Sequence, residues 1–225
     1  MEKSMKIIAR IRTVFPTKFG IPRQSGLADF DATIVFEPEY RNPEALRGIE
    51  EFSHLWLLWN FSEAERKDWS PTVRPPRLGG NTRVGVFATR SPFRPNPIGL
   101  SSVKLIGVEK TEEGTVLKVS GADLMDGTPI FDIKPYLAFT DSHPDAICGF
   151  ADAKKSYSLE VDFCEQLLKK IPGEKREPLI KLLGEDPRPQ YIDDPKRIFG
   201  FPFDSFEIKF TVDNGVLTVT DVGNI

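Results

Sequence analysis

The chain has 225 residues, 40% of them hydrophobic and 28% charged, with a net charge of −3. That size suits one globular domain, or one domain with a smaller companion, and supplies core enough to need no disulfide or metal. No apolar run reaches membrane-spanning length, the first dozen residues lack a signal-peptide core, and Cys148 and Cys164 cannot build a disulfide framework and are compatible with buried thiols, so a cytoplasmic protein is expected.

Lys6 to Thr13 places Ile7, Ala9 and Ile11 on one face and predicts a strand. A Pro/Gly-rich loop follows, containing Pro22-Arg23-Gln24. Ala32 to Phe36 predicts a second strand. Pro43 to Phe52 predicts a short helix, with Asn42 as N-cap and Pro43 at the first helical position. His54 to Phe61 is almost wholly apolar and reads as a buried strand, with His54 in a structural role beside it. Pro71 to Gly99 carries six prolines and four glycines. Most of it is therefore ordered loop, apart from Arg83 to Ala88. Leu100 to Glu109 and Thr115 to Ser120 predict strands joined by a turn at Glu112-Glu113-Gly114, and Ile130 to Ile133 adds another short apolar piece. So many short strands imply an antiparallel barrel or sandwich.

The polar, irregular stretch from Asp141 to Ser158 marks a domain boundary. Beyond it, Leu159, Val161 and Phe163 alternate as in a strand, and Glu165 to Lys170 and Pro178 to Leu183 predict short helices. The end reads as a hairpin, in which an Asn214-Gly215 turn sets Val212 opposite Leu217 and Phe210 opposite Val219.

The chemistry is bounded as much by what is missing. His54 and His143 are the only histidines, no His/Cys set has zinc spacing, and no P-loop, dinucleotide fingerprint or nucleophile elbow occurs, so no metal is expected. An acidic overall balance counts against a generic nucleic-acid binder. Yet Ser70 to Gly99 holds Arg74, Arg77, Arg83, Arg90 and Arg94 without one Asp, Glu or Lys. Arginine offers a rigid donor fork for carboxylates and phosphates. The interleaved prolines hold it with little entropy left to lose on binding. Phe87 and Phe93 offer faces on which a base stacks. Pro22-Arg23-Gln24 and Asp126-Gly127-Thr128-Pro129-Ile130 are further candidate site loops. The residues alone describe a rigid, cationic, anion-accepting site on a β scaffold. They leave open a non-catalytic barrel that grips RNA or a nucleotide, and an enzyme acting on a small molecule.

Those same segments resemble the TrmO (TsaA-like) family. They are Pro22-Arg23-Gln24, Ser53 to Trp56, Pro71 to Asn81, Gly85 to Ser91, Phe93 to Gly99, Asp126 to Pro129, Asp132 to Tyr136 and Asp186 to Pro189. The resemblance implies a mainly β fold: a small antiparallel β-barrel over residues 1–150, not a Rossmann fold, with a smaller α+β C-terminal domain over 158–225 that contacts tRNA. It implies a homodimer that uses S-adenosyl-L-methionine to methylate the exocyclic nitrogen of threonylcarbamoyl-adenosine beside the anticodon of a tRNA. Carried over by motif, the cofactor contacts are Pro22, Arg23, Gln24, Ser62, Glu63, Arg90, Leu100, Asp126, Gly127, Thr128, Pro129 and Ile130. Ser62-Glu63 departs from the His-Gln pair of some relatives. Asp126 is the candidate general base, and Arg74, Arg77 and Arg94 are candidate contacts to substrate or tRNA.

Overall fold

Period-two alternation organises the N-terminal half. In the computed structural model, which describes residues 4–64, 68–75, 78, 81–154, 157–188, 192 and 194–225, β1 (Ala9–Arg12) buries Ala9 and Ile11 and exposes Arg10 and Arg12. β2 (Asp31–Phe36) buries Ala32, Ile34 and Phe36. β3 (His54–Asn60) buries Leu55, Leu57 and Trp59, while Trp56, Leu58 and Asn60 are half-buried and His54 is exposed. The apolar run is thus a one-sided strand, and His54 stands at its exposed start, its ring beside Tyr136. Two short strands follow, β4 (Thr72–Val73) and β5 (Val84–Gly85), then β6 (Ile98–Thr111), β7 (Gly114–Ser120) and β8 (Pro129–Pro135).

The main sheet runs β1-β2-β7-β6-β3-β8, every pair antiparallel, and β8 pairs with both β3 and β1, so the order returns to its start. Inside lie Ile11, Ile34, Leu55, Leu57, Leu117, Val119, Leu124 and Ile130, all fully buried. Each such side chain contributes roughly 1.5–3 kcal/mol by leaving water. At one point the packing requires glycine. Gly99 faces Trp59 across β3 and β6, and a Cβ there would lie 2.2 Å from the indole.

The helix expected over Pro43 to Phe52 is instead two 3-10 turns, Pro43–Leu46 and Ile49–Glu51. Asn42 does cap the first, accepting the Glu44 N–H. Gly48, at φ +83°, then turns the chain into a left-handed conformation that no helix continues through.

The chain divides into two compact units. The first comprises residues 1–14, 24–69 and 92–142; the second comprises 15–23, 70–91 and 143–225. A single helical turn, α1 (Ala138–Asp141), closes the first, its Asp141 carboxylate accepting from Trp56 Nε1 and the Leu137 N–H. The second contains β4, β5, β9 (Glu160–Asp162), α2 (Glu165–Leu168), α3 (Gly173–Gly184), β10 (Phe199–Phe203), β11 (Phe206–Asp213) and β12 (Val216–Asn224). Its larger sheet runs β10-β11-β12-β9, with β9 parallel to β12.

The terminal hairpin has the expected register, Val212 opposite Leu217 and Phe210 opposite Val219. Asn214 and Gly215 both take positive φ, as a two-residue hairpin turn requires. α3 begins at Gly173, five residues before the expected start, and carries Pro178 in its interior. Burial of Leu179, Leu182 and Leu183 outweighs the one backbone bond the proline removes. Cys148 and Cys164 are free and exposed, not buried. Among the described residues, no helix is long and apolar enough to cross a membrane.

Candidate functional site

In the first unit, the best-defined candidate loop is the turn that leads into β8. Its end is closed twice, by the Thr128 N–H (3.2 Å) and by Thr128 Oγ1 (2.7 Å), both donating to the Met125 carbonyl. Gly127 takes φ +75° at the third position, where a side chain is strained. β1 holds the turn from the side. The Gly127 N–H donates to the Ile11 carbonyl, the Ile11 N–H to the Thr128 carbonyl, and Arg10 Nη1 to the Gly127 carbonyl. Thr128, Pro129 and Ile130 are buried, whereas Asp126 and Gly127 are exposed. The turn therefore offers a fixed carboxylate and an uncovered stretch of main chain. Asp126 Oδ1 accepts the Thr13 N–H at 2.9 Å, and Thr13 Oγ1 donates to the Leu124 carbonyl. Beside it, Arg12 forms a bidentate pair with Glu113, at 2.6 and 2.7 Å. That pairing raises the Arg12 guanidinium above its ordinary range and holds the Glu113 carboxyl below its own.

Ser62 and Glu63 form an exposed 3-10 turn directly after β3. Leu100 lies on β6, where its apolar side chain is 55% exposed. Beneath it runs a polar chain that the sequence did not announce. Trp59 Nε1 donates to buried Ser101 Oγ (2.9 Å), which donates to the Asp123 carboxylate. Gln24 and half-buried Arg94 also belong to this unit.

The second unit holds Pro22, Arg23, Arg74 and Arg90. β4 and β5 pair Thr72 with Gly85 and Val73 with Val84, and Arg83 Nη1 donates to Thr72 Oγ1 across them. Arg83 is therefore a brace. Arg74 follows β4 and is exposed; Arg77 lies outside the described residues. Arg90 is exposed on a backbone fixed from both sides, since Thr89 Oγ1 donates to the Val86 carbonyl and accepts the Ser91 N–H. Phe87 and Phe93 are 72% and 36% exposed. The arginine-rich run, continuous in sequence, is thus divided between the units at residue 92.

Sequence reasoning missed one cluster in the second unit. Asp186 is 1% exposed, the least accessible charged group among the described residues. Arg188 binds its two oxygens through Nε (2.9 Å) and Nη2 (3.0 Å), and Tyr157 donates to it at 2.8 Å. Arg23 donates in turn to the Asp186 and Arg188 carbonyls. Asp-Pro-Arg-Pro was visible as a motif, but nothing in the sequence links it to Tyr157, 29 residues earlier.

Burial opposes ionisation of Asp186, and the bonds from Arg188 and Tyr157 outweigh it, so the carboxyl titrates below its ordinary value of 3.8. Burial and the bond to Asp186 raise the Tyr157 hydroxyl. A depressed carboxyl stabilises the folded state above its unfolded pKa, and that contribution disappears as pH falls through the folded one. As pH falls below about 4 the second unit should therefore lose stability. Asp186→Asn should flatten that part of the profile and cost about 3 kcal/mol at neutral pH, because Arg188 loses its buried counter-charge. Denaturant unfolding across this pH range, followed for both proteins, reads the difference. An unchanged acid slope in the variant would remove Asp186 from the account.

Comparison with known proteins places this architecture. The family model of the tRNA-methyltransferase O N-terminal domain matches residues 10–142, and that of the TrmO C-terminal domain matches 156–225. The chain is 46% identical over 191 residues to the tRNA (adenine(37)-N6)-methyltransferase of Escherichia coli K12, covering 82% of this chain and 81% of that one. A crystal structure of TrmO from Pseudomonas aeruginosa superposes with a TM-score of 0.80 at 35% identity, covering 100% of this chain and 98% of the other. A probable S-adenosyl-L-methionine-binding protein of Methanothermobacter thermautotrophicus is 37% identical over 142 residues, 63% of this chain but 96% of its own length. The fold is that of a two-domain, mainly β methyltransferase. The chain belongs to the TrmO family.

Proposed function

We propose that this protein uses S-adenosylmethionine to methylate the exocyclic nitrogen of threonylcarbamoyl-adenosine beside the anticodon of tRNA. The observation that carries the reading is the pair of family models that together span residues 10–142 and 156–225, with 46% identity to the Escherichia coli enzyme. The return of the main sheet's pairing to its first strand supports reading it as a small antiparallel barrel. Residues 1–150 carry cofactor binding and chemistry, and 158–225 contribute to tRNA contact. The protein acts as a homodimer in the cytoplasm.

The candidate residues suit the cofactor chemically. Arg90 is matched to its carboxylate, Glu63 to its ammonium or ribose hydroxyls, and exposed Leu100 to an apolar face. At Gly127, among the described residues other than its chain neighbours, no atom lies within 4 Å of where a Cβ would stand, so a ligand can reach the main chain there. When bound, S-adenosylmethionine supplies an electrophilic methyl group on a sulfonium.

The protein's own task is to hold the acceptor nitrogen in line with that methyl. The acceptor is a poor nucleophile, since its lone pair is delocalised into the carbamoyl group and the purine. A carboxylate that polarises its N–H helps. Asp126 suits this role: Thr13 fixes Oδ1, leaving Oδ2 to accept the proton. Arg74, Arg77 and Arg94 are suited to the threonyl carboxylate and to phosphates. Mass spectrometry of tRNA nucleosides after incubation with the protein and S-adenosylmethionine should show a mass gain of one methyl on threonylcarbamoyl-adenosine. Methylation of free nucleoside as readily as tRNA would redirect the reading to a small-molecule enzyme.

A further inference from the structure

Residues 15–23 form a strap on the C-terminal sheet. Phe15 packs against Phe203 with ring centroids 6.4 Å apart, and Phe19 against Phe201 at 5.8 Å. Gly20, at φ +89°, is pressed so close to Phe201 that a Cβ would fall 2.2 Å from its ring. The strap ends at Arg23, whose Nη2 donates to the Asp186 carbonyl and, at 3.4 Å, to the Arg188 carbonyl. Both acceptors belong to one turn, in which Asp186 takes φ +54°, an uncommon conformation for a residue other than glycine. The Glu185 and Asp186 N–H groups tie the turn to the Leu182 and Leu183 carbonyls, and the Asp186 carboxylate braces it from the side chain. The carboxylate accepts from Arg188 Nε and Nη2, from the Arg188 N–H at 3.3 Å and from the Tyr157 hydroxyl. Without that carboxylate these four bonds are lost, and the two carbonyls that receive the guanidinium are held less firmly.

We propose that Asp186 is a positioning residue: by fixing the turn that anchors the Arg23 guanidinium, it sets the main chain of Pro22-Arg23-Gln24, and the C-terminal domain thereby tunes affinity for S-adenosylmethionine. This rests on the reading that Pro22-Arg23-Gln24 contacts the cofactor. Arg23 then acts as a tie, its side chain turned to the C-terminal domain while the backbone beside it serves the ligand.

The test is a double-mutant cycle on the full-length protein, with S-adenosylmethionine affinity read by calorimetry. Arg23→Ala and Asp186→Asn should each weaken binding by about tenfold. The double variant should be no weaker than the worse single one, because both changes cut the same tie. A carboxylate that merely stabilised its own domain would not couple to position 23. Losses that multiply, or an Asp186→Asn protein that binds as tightly as wild type, overturn the proposal. If Asp186→Asn does not fold, Tyr157→Phe, which removes one bond to the same carboxylate, takes its place in the cycle. Hydrogen exchange separates the underlying reading: the cofactor should protect the backbone amides of residues 20–26 in the wild-type protein. If it does not, the assignment of Pro22-Arg23-Gln24 to the cofactor is wrong and the proposal falls with it. Protection without coupling refutes the proposal alone.

Discussion

Arg90→Ala should fold normally and lose methyl transfer. The side chain is exposed, and the backbone around it is held by its neighbour, through Thr89 Oγ1 to the Val86 carbonyl and from the Ser91 N–H. Truncation at Cβ leaves both bonds in place. Exposed substitutions of this kind usually change stability by no more than about 0.5 kcal/mol. Function is another matter. Arg90 stands in the family-like segment Gly85 to Ser91, and in the proposed site its guanidinium is matched to the cofactor's carboxylate. A charged hydrogen bond contributes about 1.5–3 kcal/mol, so S-adenosylmethionine should bind roughly ten- to a hundredfold more weakly. Where the misplaced methyl also spoils the line of attack, turnover falls further. Calorimetry with the cofactor and single-turnover methylation, run beside a thermal melt, separate the two effects. A variant that keeps its melting temperature, cofactor affinity and rate would remove Arg90 from the site.

Some of this structure was legible in the sequence because local chemistry decides it. Asn214-Gly215 between alternating runs fixes a hairpin, and with it the facing of Phe210 and Val219. Asp126-Gly127 reads as a turn, and it is one. Elsewhere competing signals gave no reading or a wrong one. Phe199-Gly200-Phe201-Pro202-Phe203 alternates well, yet its glycine and proline argue against a strand. It is nonetheless β10, tolerated because that strand lies at the sheet edge. Asn42-Pro43 announces a helix correctly at its start, but Gly48 ends the turn before a helix is established.

The candidate site divides in the same way. The turn before β8 and the arginine loops are short, local motifs and could be named beforehand. The buried Asp186 could not. Aspartate is rarely inaccessible, and whether it is paired depends on Tyr157 and Arg188 arriving together through the fold. Ser101 is similar: its burial under Trp59 follows from strand register, which no local pattern states.

Substrate choice supplies the other large effect. The proposed substrate carries the carboxylate of its threonyl group, and Arg74, Arg77 and Arg94 are suited to read it. Phosphate contacts are the competing use of the same charge. The two make different demands. An arginine on the RNA backbone adds affinity for any tRNA and weakens with salt. An arginine on the carboxylate discriminates, because a substrate without that charge leaves the guanidinium unpaired where solvent has been displaced. Arg94 is half-buried whereas Arg74 is exposed. Partial desolvation strengthens a charged contact and raises the penalty for leaving it empty, so Arg94 is the stronger candidate for discrimination and Arg74 for phosphate. Wild-type enzyme should therefore methylate tRNA bearing the intact modification about a hundredfold or more faster than tRNA whose threonyl carboxylate is converted to an amide, the loss expected when a polar pocket is left unpaired. Arg94→Ala should erase most of that ratio by slowing the acid substrate alone. Arg74→Ala should slow both substrates equally and reduce the salt dependence of binding. Equal rates on acid and amide with the wild-type enzyme would assign all of this charge to the RNA backbone.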